Sequence, residues 1–254
     1  MHFSTWRALY ESDLQGLYVL LVVPALFLVY RLWRGRPRGA RFASAPAAAF
    51  VDAVAVAFAV ETIADLWGAP LLRALTLSDR AVGTAVLVFF VLLGDFRVYL
   101  LIFGLIAICA GQRWVAGAAR ASAWTMIVPV AAYALNALLR AAIAGLHPDS
   151  IWLVYELLFT GVALGLRRRL LQRDLQRADP ALRAYVAAVL LYSAVYYGLW
   201  ALSDLLIQIA DRDVGWLLRI VPNQLYYAFW TPFVFFSFFS RRYAAISAST
   251  QAAR

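Results

Sequence analysis

The sequence predicts an all-α fold: a polytopic membrane bundle of seven helices, N-terminus outside and C-terminus in the cytoplasm, with parallel three-helix repeats joined by the fourth helix. Three observations carry that expectation. The 254 residues are 64% hydrophobic and only 15% charged, against about 25% charged in a soluble domain, and mean hydropathy is +0.75. Apolar runs of about 20 residues, the length a helix needs to cross the hydrocarbon core, recur along the whole chain. Arginine is also abundant in alternate connections and sparse in the others. Backbone groups in lipid must be satisfied internally, so continuous apolar runs of this length mean helices.

Taken in order, the spans are expected at about 14–33, 47–67, 82–110, 121–144, 151–168, 185–209 and 214–240. The first, LYVLLVVPALFLVYRLWR, follows Glu11 and Asp13 and ends in a basic cluster. It has neither a basic leader nor a small-residue cleavage site, so it is expected to stay in the mature protein. The second carries VETIADLW, the third VLLGDFRVYLLIF, and the fourth Asn136 and Arg140. The fifth opens with VYELL and closes on RRRLL; the sixth ends LWALSDLL; the seventh contains RIVPNQLYYAFW.

Orientation follows from arginine, because all 23 basic residues are Arg. Arg31, Arg34, Arg36, Arg38 and Arg41 follow span 1; Arg113 and Arg120 follow span 3; six lie from Arg167 to Arg183; Arg241, Arg242 and Arg254 are in the tail. The opposite side holds Arg7, Arg73, Arg80 and Arg212. Sixteen against four puts the C-terminus in the cytoplasm and the protein in the plasma (inner) membrane. The net charge of +9 then belongs at the cytoplasmic face, against anionic lipid heads, and not to nucleic acid.

Spans 1–3 can be laid over spans 5–7. Asp65 then matches Asp204, Gly94-Asp95 matches Pro222-Asn223, and Tyr99 matches Tyr227. Four spans separate the copies, so they share one orientation and form a parallel repeat. Seven helices arranged three, one and three resemble the superfamily that joins SWEET and PQ-loop transporters with microbial rhodopsins. The resemblance covers most of the chain as architecture, and it implies solute transport or seven-helix sensing. Pro222-Asn223-Gln224 is the nearest string to the PQ dipeptide, and Pro24 alone sits where SWEET-like proteins carry gating prolines. No lysine exists to bear retinal by a Schiff base, so no cofactor is expected.

A charge at the centre of a membrane helix costs about 3 kcal/mol on insertion scales, so such residues usually face the bundle interior. Asp95 and Arg97 are about 200° apart around a helix; they cannot pair with each other and must reach different helices. Helical spacing pairs Glu61 with Asp65, Asn136 with Arg140, Asp204 with Gln208, and Arg219 with Asn223, while Tyr227 and Trp230 continue the last face inward. With Glu156, these residues are expected to form one polar cluster in the outer half of the bilayer, floored by Asp95 and Arg97. They are the candidate substrate-binding residues. Asp52 belongs to a different face, deeper toward the cytoplasm. Five acids (Glu61, Asp65, Asp95, Glu156, Asp204) face three arginines (Arg97, Arg140, Arg219), so two acids are either protonated or neutralised by something bound. Tyr99, Tyr133, Tyr155, Tyr196, Tyr197, Trp200 and Tyr226 are further residues able to line a pocket.

Other chemistry is sparse. His2 and His147 are the only histidines, too few for a multi-histidine zinc hydrolase. Cys109 is the single cysteine, so no intrachain disulfide can form. His147, Asp149 and Ser150 are triad residue types, but adjacency in a turn is not triad geometry. The leading expectation is a transporter of a small polar solute or ion. A ligand-binding receptor or sensor, an enzyme working with carboxylates, and a structural subunit are the alternatives. Association into an oligomer is left open.

Overall fold

A computed structural model describes residues 5–35, 44–76 and 80–240, with side chains at 6–35, 44–67 and 88–240. Arg36, Arg38, Arg41, Arg241, Arg242, Arg254 and His2 lie outside the described residues, as do the side chains of Arg73 and Arg80. Helices follow one another in the order α1 (Thr5–Tyr10), α2 (Leu20–Arg34), α3 (Ala45–Thr76), α4 (Arg80–Cys109), α5 (Trp114–Ala142), α6 (Ser150–Arg169), α7 (Pro180–Gln208), α8 (Val214–Asn223) and α9 (Trp230–Phe238). Wider π-helical turns lead into α2 (Leu14–Val19), extend α6 (Leu170–Asp174) and join α8 to α9 (Gln224–Phe229). Among the described residues there is no strand. Among the described residues, six helices are long and apolar enough to cross a membrane: Leu14–Arg34, Ala45–Trp67, Val88–Cys109, Trp114–Ala142, Ser150–Asp174 and Pro180–Gln208. The chain is therefore a multi-pass membrane protein. The run from Val214 to Phe238 is helical without interruption but changes pitch at its π segment.

Neighbours in sequence pack side by side, and the last run returns against α2 and α3, closing a ring around a common interior. Phe27 of α2, Phe58 and Val54 of α3, Tyr99 and Phe103 of α4, Phe159 of α6, Tyr185 and Val189 of α7, and Trp230 and Phe238 of α9 meet there. The outward faces of the same helices are apolar and exposed, for example Leu26, Val29 and Leu32 of α2 and Val130, Tyr133 and Leu138 of α5. That is the composition expected of lipid-facing surface.

Helix ends differ from the sequence reading where local chemistry outweighs hydropathy. α7 begins at Pro180, five residues before the expected 185, because the Asp179 carboxylate accepts from the Ala181 amide at 2.7 Å and Pro180 occupies the first turn. α5 begins at Trp114, seven residues before the expected 121, after a turn at Gly111 with φ +74°. α3 runs on from the expected end at Trp67 through Gly68 and Pro70 to Thr76, as membrane helices tolerate.

Two contacts set how helices meet. A Cβ on Gly117 would overlap the carbonyl oxygen of Phe103 and the backbone of Gly104, so α4 and α5 cross with their backbones nearly touching, an arrangement that small residues permit. At the opposite end of the bundle from Tyr10, Arg31 of α2 and Asp52 of α3 form a buried two-pronged ion pair, Nη2 to Oδ2 at 2.6 Å and Nε to Oδ1. The sequence assigned Arg31 to the basic edge; the fold turns it inward, since Asp52 would otherwise be a buried charge without a counter-ion. Replacing Gly117 with Val should lower stability by about 1–3 kcal/mol, read as earlier thermal unfolding in detergent. Asp52→Asn, which strands a guanidinium, should cost about 3 kcal/mol, whereas the double replacement Arg31→Met with Asp52→Leu should recover most of it. A double variant as unstable as the single one would contradict this account.

Candidate solute-binding site

α4 delivers the central charges in two directions, as their spacing requires. Asp95 points toward α6 and α7, where its Oδ2 accepts from the Tyr155 hydroxyl and its Oδ1 from the Tyr197 hydroxyl. The Tyr197 ring stacks on Phe159 with centroids 3.9 Å apart, which holds that hydroxyl in place. Arg97 points toward the last helix. Its Nη2 donates to the Tyr226 carbonyl at 2.7 Å, and the guanidinium lies 4.0 Å from the Tyr226 ring centroid and 4.6 Å from that of Trp230. Both residues are 1% exposed.

Arg97 meets the last helical run at its π segment. There the carbonyls of Leu225 and Tyr226 accept from side chains, Tyr192 Oη at 2.8 Å and Arg97. Gly94 completes the fit, since a Cβ there would overlap the Tyr226 hydroxyl. Only a hydrogen at that position leaves room for the ring to lie across α4.

Above this layer, Arg219 of α8 pairs with Asp204 of α7 through Nη1, and its Nη2 stands 3.9 Å from Glu156 of α6. Asp204 is fully buried and also accepts from Gln208 Nε2 at 3.0 Å. Asn223 links three elements, accepting from Trp200 Nε1 at 2.8 Å and donating to the Tyr10 hydroxyl at 3.3 Å. Tyr10, from the short α1, packs on Trp216 with centroids 5.4 Å apart and covers Arg219.

Between the two layers lies a cavity of about 220 Å³, bounded by Tyr10, Val91, Trp152, Tyr155, Glu156, Tyr197, Trp200, Arg219, Asn223, Tyr226 and Tyr227. It is smaller than the roughly 300–1,000 Å³ of drug-sized sites, so it suits a small solute.

The expected candidates thus separate by place. Glu156, Arg219, Asn223 and Tyr227 line the cavity; Asp95 and Asp204 stand directly behind its wall. Gln208 reaches Asp204 and the Asp149 carbonyl. Arg97 and Trp230 form the floor, with Trp230 fully buried. Glu61 and Asp65 of α3 are half-buried and close enough for their charges to be felt at Arg97. Asn136 and Arg140 are elsewhere. Asn136 accepts from Ser150 at 2.8 Å, tying α5 to α6, and exposed Arg140 donates to the Pro148 carbonyl of the following loop. Their i, i+4 spacing describes one helix, but that face looks onto the α5–α6 turn. Tyr133 is 73% exposed on the outer face of α5, and Tyr99 is packed in the core. His147 accepts from the Asp149 amide within its own turn.

Sequence reasoning missed Tyr10 and Trp152. Trp152 lies four residues before Glu156, so the same helical-face argument could have found it. For Tyr10 no such signal exists, because nothing local links an N-terminal turn to residue 219.

No family model matches the chain, and no curated protein or solved structure does either.

Tyr155→Phe and Tyr197→Phe should each destabilise the protein by about 1–2 kcal/mol. The double variant should lose more than the sum, because only then is the buried Asp95 carboxylate left with neither donor. A double-mutant cycle by thermal unfolding checks this, and strict additivity would contradict the shared-acceptor geometry.

Proposed function

We propose that the chain is a seven-span carrier with its N-terminus outside, which binds a small polar solute in this cavity and moves it across the membrane. The observation that carries the reading is the cavity's position against a helix whose pitch changes at a π segment. Carriers bind their solutes near the bundle centre, and π turns inside helices recur at functional sites. The run from Val214 to Phe238 serves as the seventh span, with Arg97 bound to its π segment.

Arginine placement supports the orientation. The residues around the cavity come from chain segments that this orientation assigns to the outer half: the N-terminal turn, the first half of α4, the start of α6, the second half of α7, and the first half of the last run from Arg219 to Tyr227. The Arg31–Asp52 pair lies at the other end, where it would act as the inner closure of an outward-open state. The resemblance to the SWEET, PQ-loop and rhodopsin superfamily, with its parallel repeat, fits the same reading.

A receptor is the second reading, and one observation favours it. Beneath Arg97 the interior is filled by Trp230, Tyr99, Phe103, Leu105 and Phe238, all 2% exposed or less. A carrier must open this layer; a receptor need not. In a Cys109→Ser background, Leu105→Cys should be labelled by a membrane-impermeant maleimide applied from the cytoplasmic face, if slowly. Complete protection under every condition would reject the carrier and favour the receptor.

A further inference from the structure

We infer that the cavity takes a small organic cation, an alkylammonium or quaternary ammonium group, with Glu156 as its counter-ion and aromatic faces as its walls. This rests on the reading of the cavity as a solute site and names the class of solute.

Charge is the first argument. Sequence counting set three arginines against five acids, but Arg140 is spent on a loop carbonyl outside the bundle interior. Around the cavity and its floor two arginines, Arg97 and Arg219, remain against Glu61, Asp65, Asp95, Glu156 and Asp204. Arg219 lines the cavity, yet its close contact goes to Asp204, which is fully buried. At 3.9 Å its approach to Glu156 is too long for a hydrogen bond. Glu156 is 4% exposed, and among the described residues its Oε2 has no donor. A buried carboxylate oxygen without a partner, on a cavity wall, is a place for a ligand's positive charge.

The second argument is independent of charge counting. Trp152, Trp200, Tyr155, Tyr197, Tyr226 and Tyr227 all border the cavity, and π faces around a cation are how ammonium groups are recognised. Some of the hydroxyls are already committed, Tyr155 and Tyr197 to Asp95. Those two rings therefore offer mainly their faces, which attract an ammonium group but give a sugar few hydrogen bonds.

The test is calorimetric titration of the full chain in nanodiscs with tetramethylammonium and choline. The control is the carbon isostere of choline, in which tert-butyl replaces trimethylammonium. The cations should bind and the isostere should not, a comparison that needs no variant. Glu156→Gln should weaken choline binding roughly tenfold or more, and Trp152→Ala about three- to tenfold. If the isostere binds as tightly as choline, or Glu156→Gln leaves choline binding unchanged, the cation assignment is overturned. If a sugar or carboxylate binds instead, sensitive to Trp152→Ala, the cation class falls while the solute site stands. If neither cations, sugars nor carboxylates bind, both readings fall.

Discussion

The arrangement depends on where one buried guanidinium finds its partners. Arg97 sits at the centre of an apolar bundle, and among the described residues no carboxylate forms an ion pair with it. Its partners are a backbone carbonyl and two aromatic faces, all from the last helical run. The π segment, the Arg97 position and the Gly94 gap meet at one residue: Tyr226 lies in the π segment, its carbonyl accepts from Arg97, and its hydroxyl fills the space beside Gly94. Aromatic faces supply the remaining stabilisation that water would have given.

From this follows the separation of charges into layers. Because Arg97 is directed to the last helix, it does not neutralise Asp95, which takes hydroxyl donors from Tyr155 and Tyr197. Those two rings become the inner wall of the cavity. The upper layer is organised around Arg219, and the cavity lies between the two layers, walled by aromatic rings. At the far end, Arg31 and Asp52 repeat the logic in simpler form, as a pair bound only to each other.

Much of this was legible before any coordinates. The all-helical, multi-pass class and the need for Asp95 and Arg97 to diverge follow from periodicity and the cost of charge in lipid, whereas six of the seven expected spans stand as long apolar helices among the described residues. The convergence of Glu156, Asp204, Gln208, Arg219, Asn223 and Tyr227 followed from helical faces. The same argument failed for Asn136 and Arg140, because a helical face tells which residues travel together and not what they look toward. It also treated Tyr227 and Trp230 as one continuous face, whereas the π segment shifts the register and divides them between wall and floor.

The sequence by itself determined the class of protein, since solvent preference is a sum over residues and needs no partner to be defined. It also determined that the interior would hold unmatched acids. Only the tertiary structure decided which acids share a partner, that Tyr10 returns to roof Arg219, and that the Tyr226 carbonyl is open to Arg97. Each of those is a meeting of residues far apart along the chain, and such meetings are set by packing geometry that composition and period do not encode.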